Sequence, residues 1–419
     1  MVTSCFRELP AVNYAEALAF LFPRTTTIKF GLDTTAALLQ DLGDPHTIIP
    51  SIHIGGTNGK GSVAALVAEA LGCAGWRVGL YTSPHLVSFR ERIRVGGVPI
   101  SEAAVAMWTA RMAPRIQELG ATFFEASTAM AFADFAARGA EIAVVEVGLG
   151  GRLDSTNIVT PLVSAVTKIA MDHMKYLGGN LTDIAREKAG IAKPAVPFVI
   201  GERNPELVEV LRREARRIAQ DAGARSDVRV LPPDYEWPGP LGLRGLHQRR
   251  NAGVAHGILM ALPEQWRPSE AAITKGFTDA RVPGRLDRRG KWLFDVAHNP
   301  DGMESLVASL QADPPPGPVH ALVSILGDKE WPTMLVWLDS VVDRGVLTVA
   351  PSAAERGWDL GWLQEWLARP DRPPAHAHWT LVPDFAAALR EVQEGAETVL
   401  VTGSFHTVGD VMEAMGLGE

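Results

Sequence analysis

Pro50-Ser51-Ile52-His53-Ile54-Gly55-Gly56-Thr57-Asn58-Gly59-Lys60-Gly61-Ser62 decides how the rest of the chain is read. The apolar alternation at Ile52 and Ile54 predicts a short strand, a run of glycines follows, and the small and apolar residues from Val63 to Leu71 predict a helix. Strand, glycine loop and helix in that order make an anion cradle. Glycines let the backbone turn until several N–H groups face one anion, and a helix beginning near Ser62 adds its positive end. Thr57, Asn58, Gly59, Gly61 and Ser62 are therefore candidate phosphate contacts, and Lys60 reaches across the phosphates as a point charge. The loop departs from the pattern G-x-x-x-x-G-K-[ST], because Ile54 stands at the first glycine position and Gly61 separates Lys60 from Ser62. A glycine-rich hairpin without a ligand is the plain alternative, and the strand before and helix after argue against it.

The chain has 419 residues, 47% of them hydrophobic, which is enough for two domains with separate cores. Its 40 basic and 48 acidic residues leave a net charge of −8, so no nucleic-acid partner is expected and an anionic substrate needs local basic groups. Cys5 and Cys73 are too few for a disulfide framework or a four-cysteine zinc site, and both are expected as reduced thiols. Arg7 and Glu8 stand where a signal peptide needs an apolar run, and no stretch approaches the length of a membrane span. A cytoplasmic protein without a membrane partner is the expectation.

Helices are predicted at 13–22, closed by Pro23, and at 33–42, capped by Asp33 and ended by Gly43. Past the glycine loop the pattern predicts strands at 77–82, 142–147, 162–167 and 196–200. Helices fall at 101–118, 126–138, 181–190 and 204–221. The proline-, glycine- and arginine-rich stretch 224–245 reads as loop or short antiparallel strands, before helices at 249–261 and 268–276. Val282-Pro283-Gly284-Arg285-Leu286 interrupts the pattern and sets a boundary, giving domains 1–284 and 285–419. Strands at 291–296, 319–325, 345–350, 378–382 and 397–402 then alternate with helices at 301–311, 331–340, 358–368, 384–393 and from 406. Alternation of this kind implies right-handed crossovers and parallel sheets. The fold class is thus α/β with two doubly wound domains: a phosphate-loop ATPase domain and a smaller Rossmann-like C-terminal domain. A cleft between them is the natural ligand site.

Several polar residues fall at the carboxyl ends of these strands, where ligands bind in parallel α/β sheets. Glu146 ends the apolar run Ile142–Val147 just before Gly148-Leu149-Gly150-Gly151. It could cap the loop, but beside a phosphate loop magnesium coordination is the better reading, since hard cations take oxygen ligands and bridge to phosphates. Ser83, before Pro84, is equally a turn residue or a further magnesium ligand. His173 follows the strand at 162–167, although isolated histidines are usually structural. Lys188 in Glu187-Lys188-Ala189-Gly190 would ordinarily assist a helix end. Arg285 offers a guanidinium at the boundary, suited to phosphate oxygens or to an ordinary salt bridge.

As Gly-Thr-Asn-Gly-Lys-Gly-Ser, the loop resembles the ATP-binding loop of the Mur ligase superfamily, and within it the folylpolyglutamate synthase and dihydrofolate synthase family. Ser83-Pro84-His85-Leu86 with Phe89 to Ile93, Asp172-His173 through Gly178, Glu187 to Ile191, and Gly150 to Asn157 carry the same resemblance. It runs in order from Lys29 to Ser404. It implies ATP-dependent amide formation, in which a pterin carboxylate takes the γ-phosphate and L-glutamate displaces it from the acyl phosphate. The substrates implied are ATP, L-glutamate and dihydropteroate or a reduced folate, with two magnesium sites, and the protein is expected to be a monomer. By resemblance Lys188 becomes a carbamate, Lys60, Lys188 and His173 are catalytic, and Ser83, Glu146 and His173 hold metal. Asn251 would meet adenine, while Asp295 and His298 face the nucleotide across the cleft, and Ser404 is a candidate for the amino acid substrate. The pterin pocket maps onto Lys29, Phe30 and Gly31, onto Thr122, Phe123, Phe124 and Glu125, and onto Leu153, Asp154 and Ser155. Phe124 could stack on a flat ring or simply pack a helix start. A cell-wall Mur ligase needs an N-terminal domain for its UDP-sugar, for which the roughly 50 residues ahead of the loop are too few. A phosphate-loop kinase or GTPase switch leaves the second α/β domain and its nucleotide-facing motif unexplained, and a non-catalytic nucleotide sensor stays open beside the ligase.

Overall fold

A computed structural model describes residues 12–26, 29–369 and 376–417. The first sheet contains β1 (Ser51–Gly55), β2 (Val78–Tyr81), β3 (Ile93–Val95), β4 (Val98–Pro99), β5 (Ile142–Glu146), β6 (Val163–Val166), β7 (Pro197–Ile200) and β8 (Asp227–Val230). Their order is β4-β3-β2-β5-β1-β6-β7-β8, and β2 through β8 run parallel apart from the antiparallel β3–β4 edge. The second sheet contains β9 (Asp287–Arg289), β10 (Trp292–Phe294), β11 (Val319–Val323), β12 (Arg344–Leu347), β13 (His378–Leu381) and β14 (Thr398–Thr402). It is ordered β13-β12-β11-β14-β10-β9, parallel except at β9. Both sheets are thus doubly wound α/β with an antiparallel edge.

Register explains why the candidate residues meet. Ile54 of β1 pairs with Glu146 of β5, and Gly55 pairs with Val166 of β6. The three strands end at one edge, so the glycine loop, the Glu146–Gly151 turn and the Lys168–His173 segment emerge side by side. Every residue of β1 and β5 is buried, as expected for strands covered on both faces. On one face helix Lys60–Cys73 packs with helices Leu246–Ala261 and Glu270–Asp279, and on the other lies helix Phe123–Ala137.

Several expectations need adjusting. The stretch 224–245 contains β8, which runs parallel to β7 rather than antiparallel; it is a half-exposed edge strand with a polar sequence, so periodicity could not mark it. The hairpin β3–β4 and strand β9 are two or three residues long, too short to show any period in the sequence. Asp33 is the first residue of its helix and makes no side-chain cap. The helix expected from 126 begins at Phe123, because Thr122 and Glu125 form a capping box with helix-starting geometry. Residues 370–375, between the helix expected at 358–368 and the next strand, lie outside the described residues.

Helix Glu270–Asp279 crosses helix Lys60–Cys73 at Gly276, where a Cβ would lie 2.5 Å from the Ala70 backbone nitrogen. Backbone cannot yield as a side chain can, so Gly276→Ala should cost about 2 kcal/mol of overpacking. A urea titration should show a lower midpoint at unchanged slope; an unchanged midpoint would mean that the helices do not approach this closely.

Candidate functional site

The phosphate loop is shaped by Gly59, whose φ of 91° places it in the left-handed region just before helix Lys60–Cys73. The helix therefore starts at Lys60, two residues earlier than the sequence suggested. Its first N–H groups carry no side-chain cap, which leaves them available to an anion. Thr57 is fixed from the side, its N–H donating to the Lys168 carbonyl at 2.6 Å and its hydroxyl exchanging hydrogen bonds with Ala170. Lys60 Nζ donates to the Thr57 carbonyl at 3.1 Å, so the ammonium folds back over the loop. Ser62 is buried in the first helical turn.

Glu146 is 3% exposed. Burial pushes its carboxyl upward, and Lys60, the Ser83 N–H, Arg285 and Arg92 pull it back toward the charged form. The Ser83 N–H donates to Oε2 at 3.0 Å, while Gly61 stands close enough that a Cβ there would lie 3.5 Å from the same oxygen. Lys188 is 5% exposed and its Nζ donates to the Gly56 carbonyl at 2.9 Å. Burial first, and the neighbouring Lys60 second, push this amine down to about 7, against the pull of Asp172, Asp154 and Glu187. Lys188 is therefore no solvated helix end. One crevice brings together Thr57 through Gly61, Ser83, Glu146, His173, Lys188, Arg285 and His298, with Asp172 and Phe405 in its wall. A second crevice of about 300 Å³, between Leu243–Arg249 and the end of helix Pro300–Ala312, holds none of the candidates.

The second sheet closes the crevice through Arg285 and His298, both expected from the sequence, and through Asn299, Asp301 and Lys329, which the sequence did not single out. Asp172 accepts from Lys329 Nζ at 2.6 Å and from Asn299 Nδ2 at 3.2 Å, and its Oδ2 lies 3.6 Å from His298 Nε2. Burial opposes its charge, but the neighbouring His298 and His173 imidazoles and the Lys329 ammonium prevail and hold the carboxyl below the usual carboxylate range. His298 donates from Nδ1 to the Val296 carbonyl, which turns Nε2 toward Asp172. Asn58 and Asn299 exchange amide hydrogen bonds at 3.2 and 3.1 Å, and Asp301 accepts from both Asn58 and Lys168. Lys329 follows a short loop after β11 in Gly327-Asp328-Lys329, a common composition that carries no signal of its own. Arg92 is likewise buried, donating from Nε to His85 Nδ1 at 2.7 Å and facing Glu146.

Other candidates have their side chains engaged locally. Asp295 accepts the Leu286 and Ala297 N–H groups, both at 2.9 Å, which braces the joint between the sheets. Ser404 caps helix Phe405–Ala414 through the Thr407 N–H at 3.1 Å. Lys29 donates to the Leu119 and Gly120 carbonyls at a helix end. Thr122 and Glu125 are buried in their capping box, and Phe123 packs among Phe22, Phe89 and Arg92. Phe124 is different: half-buried, it lies over Gly148, where a Cβ would come within 2.3 Å of its ring. Phe30 is half-exposed opposite Tyr176, and the Gly31 N–H donates to the Leu153 carbonyl at 3.3 Å. Asn251 stands outside the crevice wall against Gly59, with its Nδ2 donating to Gln248.

Residues 54–222 match the Mur ligase middle domain and residues 284–405 the Mur ligase glutamate ligase domain. The chain is 34% identical over 398 residues to the dihydrofolate synthase/folylpolyglutamate synthase of Escherichia coli (strain K12), covering 93% of this chain and 92% of that protein. It belongs to the folylpolyglutamate synthase/dihydrofolate synthase family. Among solved members of the family, E. coli FolC in complex with DHPP and ADP superposes with a TM-score of 0.82 at 33% identity, over 97% of this chain and 98% of that one. A bifunctional folylpolyglutamate synthase/dihydrofolate synthase with Mn, AMPPNP and L-glutamate bound superposes at 0.81 with 31% identity, over 97% of this chain and 98% of that one.

Asp172 and Lys329 are each 7% exposed in their side chains, so removing one partner leaves the other charge buried. Lys329→Met should cost about 3 kcal/mol, and adding Asp172→Asn should recover part of it. Because the carboxyl is depressed in the folded state, this stabilisation is complete above the unfolded value of about 3.9 and is lost as pH falls through the folded one. Denaturation of the four members of the cycle at pH 7 checks the pair; strict additivity would remove it.

Proposed function

We propose that this chain is an ATP-dependent carboxylate–amine ligase that joins L-glutamate to the carboxylate of dihydropteroate or a reduced folate. The observation that carries the reading is one crevice between two α/β lobes, which we take as residues 1–284 and 285–419. It combines an uncapped helix start, a folded-over lysine, a buried carboxylate and a buried lysine of low basicity. ADP, AMPPNP, DHPP and L-glutamate in the related structures support the same reading.

The nucleotide's phosphates would lie on the N–H groups that begin helix Lys60–Cys73, with Lys60 across them and Arg285 entering from the second lobe. The pterin carboxylate oxygen attacks the γ-phosphorus and ADP leaves; the amine of L-glutamate then attacks the carbonyl carbon of the acyl phosphate, gives up one proton and expels inorganic phosphate. The carboxylate oxygen departs with phosphate. Both steps develop charge on phosphoryl or carbonyl oxygens, so fixed cations in a dry crevice serve them best. The donor set fits a hard divalent ion: Glu146 Oε1 is free of the hydrogen bond that Oε2 receives, with the Ser83 hydroxyl and His173 beside it in the same wall. Magnesium there, at two sites in our reading, would neutralise phosphate charge. Lys188, whose buried amine is pushed down toward its neutral form, is suited to become a carbamate and so reverse its sign beside Gly56. The pterin would lie along Phe124, Phe30 and the 153–155 turn, and we take the enzyme to be a cytoplasmic monomer.

Phosphate release should require the pterin acid and L-glutamate together; release with ATP alone would point to an NTPase. Lys60→Ala should abolish turnover, and near-normal activity would take the phosphate loop out of the mechanism. A carbamate carbon signal with 13C-labelled carbon dioxide should strengthen as pH rises through about 7 at fixed dissolved gas, because the neutral amine is the reactant. It should be missing in Lys188→Ala; a persisting signal would place the carbamate elsewhere.

A further inference from the structure

His53 stands in the middle of β1, two residues ahead of Gly55, and is fully buried. An imidazole in that position costs desolvation unless it is hydrogen-bonded, and its Nε2 lies 2.9 Å from Thr156 Oγ1. The single hydroxyl proton of Thr156 goes to Asp154 Oδ1. The same carboxylate accepts the Thr156 N–H at 3.0 Å and the Leu149 N–H at 2.8 Å. Burial pushes the Asp154 carboxyl upward, and the Leu149 N–H with the Thr156 hydroxyl and N–H draws it back toward the charged form; with that carboxylate charged, the threonine oxygen accepts and Nε2 carries the imidazole proton. Nδ1 has no hydrogen-bond partner among the described residues, and the ring therefore has one polar tie. Burial, with the charge of Lys193 adding to it, pushes His53 down to about 3, so the donor stays neutral at working pH.

The loop held by this tie touches the crevice, the proposed pterin side and the helix end that carries Lys188. Leu149 and Gly150 line the crevice, and Gly148 lies under Phe124. The Leu153 carbonyl accepts the Gly31 N–H. On its other side the loop grips the helix end that carries Lys188, through the Arg152 N–H to the Glu187 carbonyl at 2.9 Å and Asn157 Nδ2 to the Gly190 carbonyl at 3.1 Å. The side-chain link from this loop to the strand that feeds the phosphate loop is the His53–Thr156 bond.

We propose that His53 is a positioning residue for the pterin end of the site: through Thr156 and Asp154 it registers loop 148–157 against the nucleotide strand. The assignment of the pterin rests on the ligase reading above; the tie between strand and loop does not. The test compares His53→Leu and Thr156→Val, which remove the bond from either side, with His53→Gln and Thr156→Ser, which keep a donor and an acceptor in reach. Losing one buried hydrogen bond should raise KM for the pterin acid about tenfold, with kcat and KM for ATP changed far less. Amide exchange of residues 149–157 should quicken in both removing variants, measured without substrates, and the two conservative variants should restore both readouts. A lower melting temperature with unchanged pterin KM and unchanged loop exchange would overturn the proposal, as would His53→Gln as impaired as His53→Leu. If the wild type ligates no pterin at all, the ligase reading fails while the exchange data still decide the tie.

Discussion

A carboxylate that water barely reaches, Glu146, can remain charged only where cations and N–H groups converge on it. The Ser83 N–H, Lys60, Arg285 and Arg92 do so from different parts of the chain. Most of the architecture follows from meeting that requirement. Parallel pairing of β5 with β1 brings Glu146 level with the end of the strand that feeds the phosphate loop. The left-handed Gly59 then turns the helix start toward it. Burying a charge at such a place is costly for stability, and it is the kind of cost that functional sites retain.

Lys188 shows the complementary case. The same dryness that raises a carboxyl lowers an amine, and a second lysine nearby lowers it further. An amine held down in this way differs chemically from an exposed lysine, because burial favours its neutral form. Its hydrogen bond to the Gly56 carbonyl fixes it against the phosphate loop, so any change of its charge is felt there.

Asp172 extends the logic across the two lobes. It comes from the segment that follows β6, and its partners Lys329, Asn299 and His298 all come from the second sheet. Asn58 in the phosphate loop crosses the same boundary to Asn299 and Asp301. The contact between the lobes and the geometry of the phosphate loop therefore share residues.

The glycine loop and Glu146 could be found in the chain because each sits at a strand end marked by an apolar run, and Arg285 because proline and glycine break the pattern beside it; backbone hydrogen bonding and side-chain period determine such runs locally. His173, after a strand, and Lys188, in the last turn of a helix, stood out only through their resemblance to family motifs. The alternation of strands and helices, and with it the doubly wound class, was fixed by the same local physics. Tertiary structure alone decided which strand ends are neighbours, since register depends on pairing between segments far apart in sequence. It decided that Asp295 and Ser404 have their oxygens taken by backbone N–H groups, that Lys329 rather than a nearer residue answers Asp172, and that His53 is wired to Thr156. Those outcomes depend on burial and on distances between distant side chains, and neither quantity exists until the chain is folded.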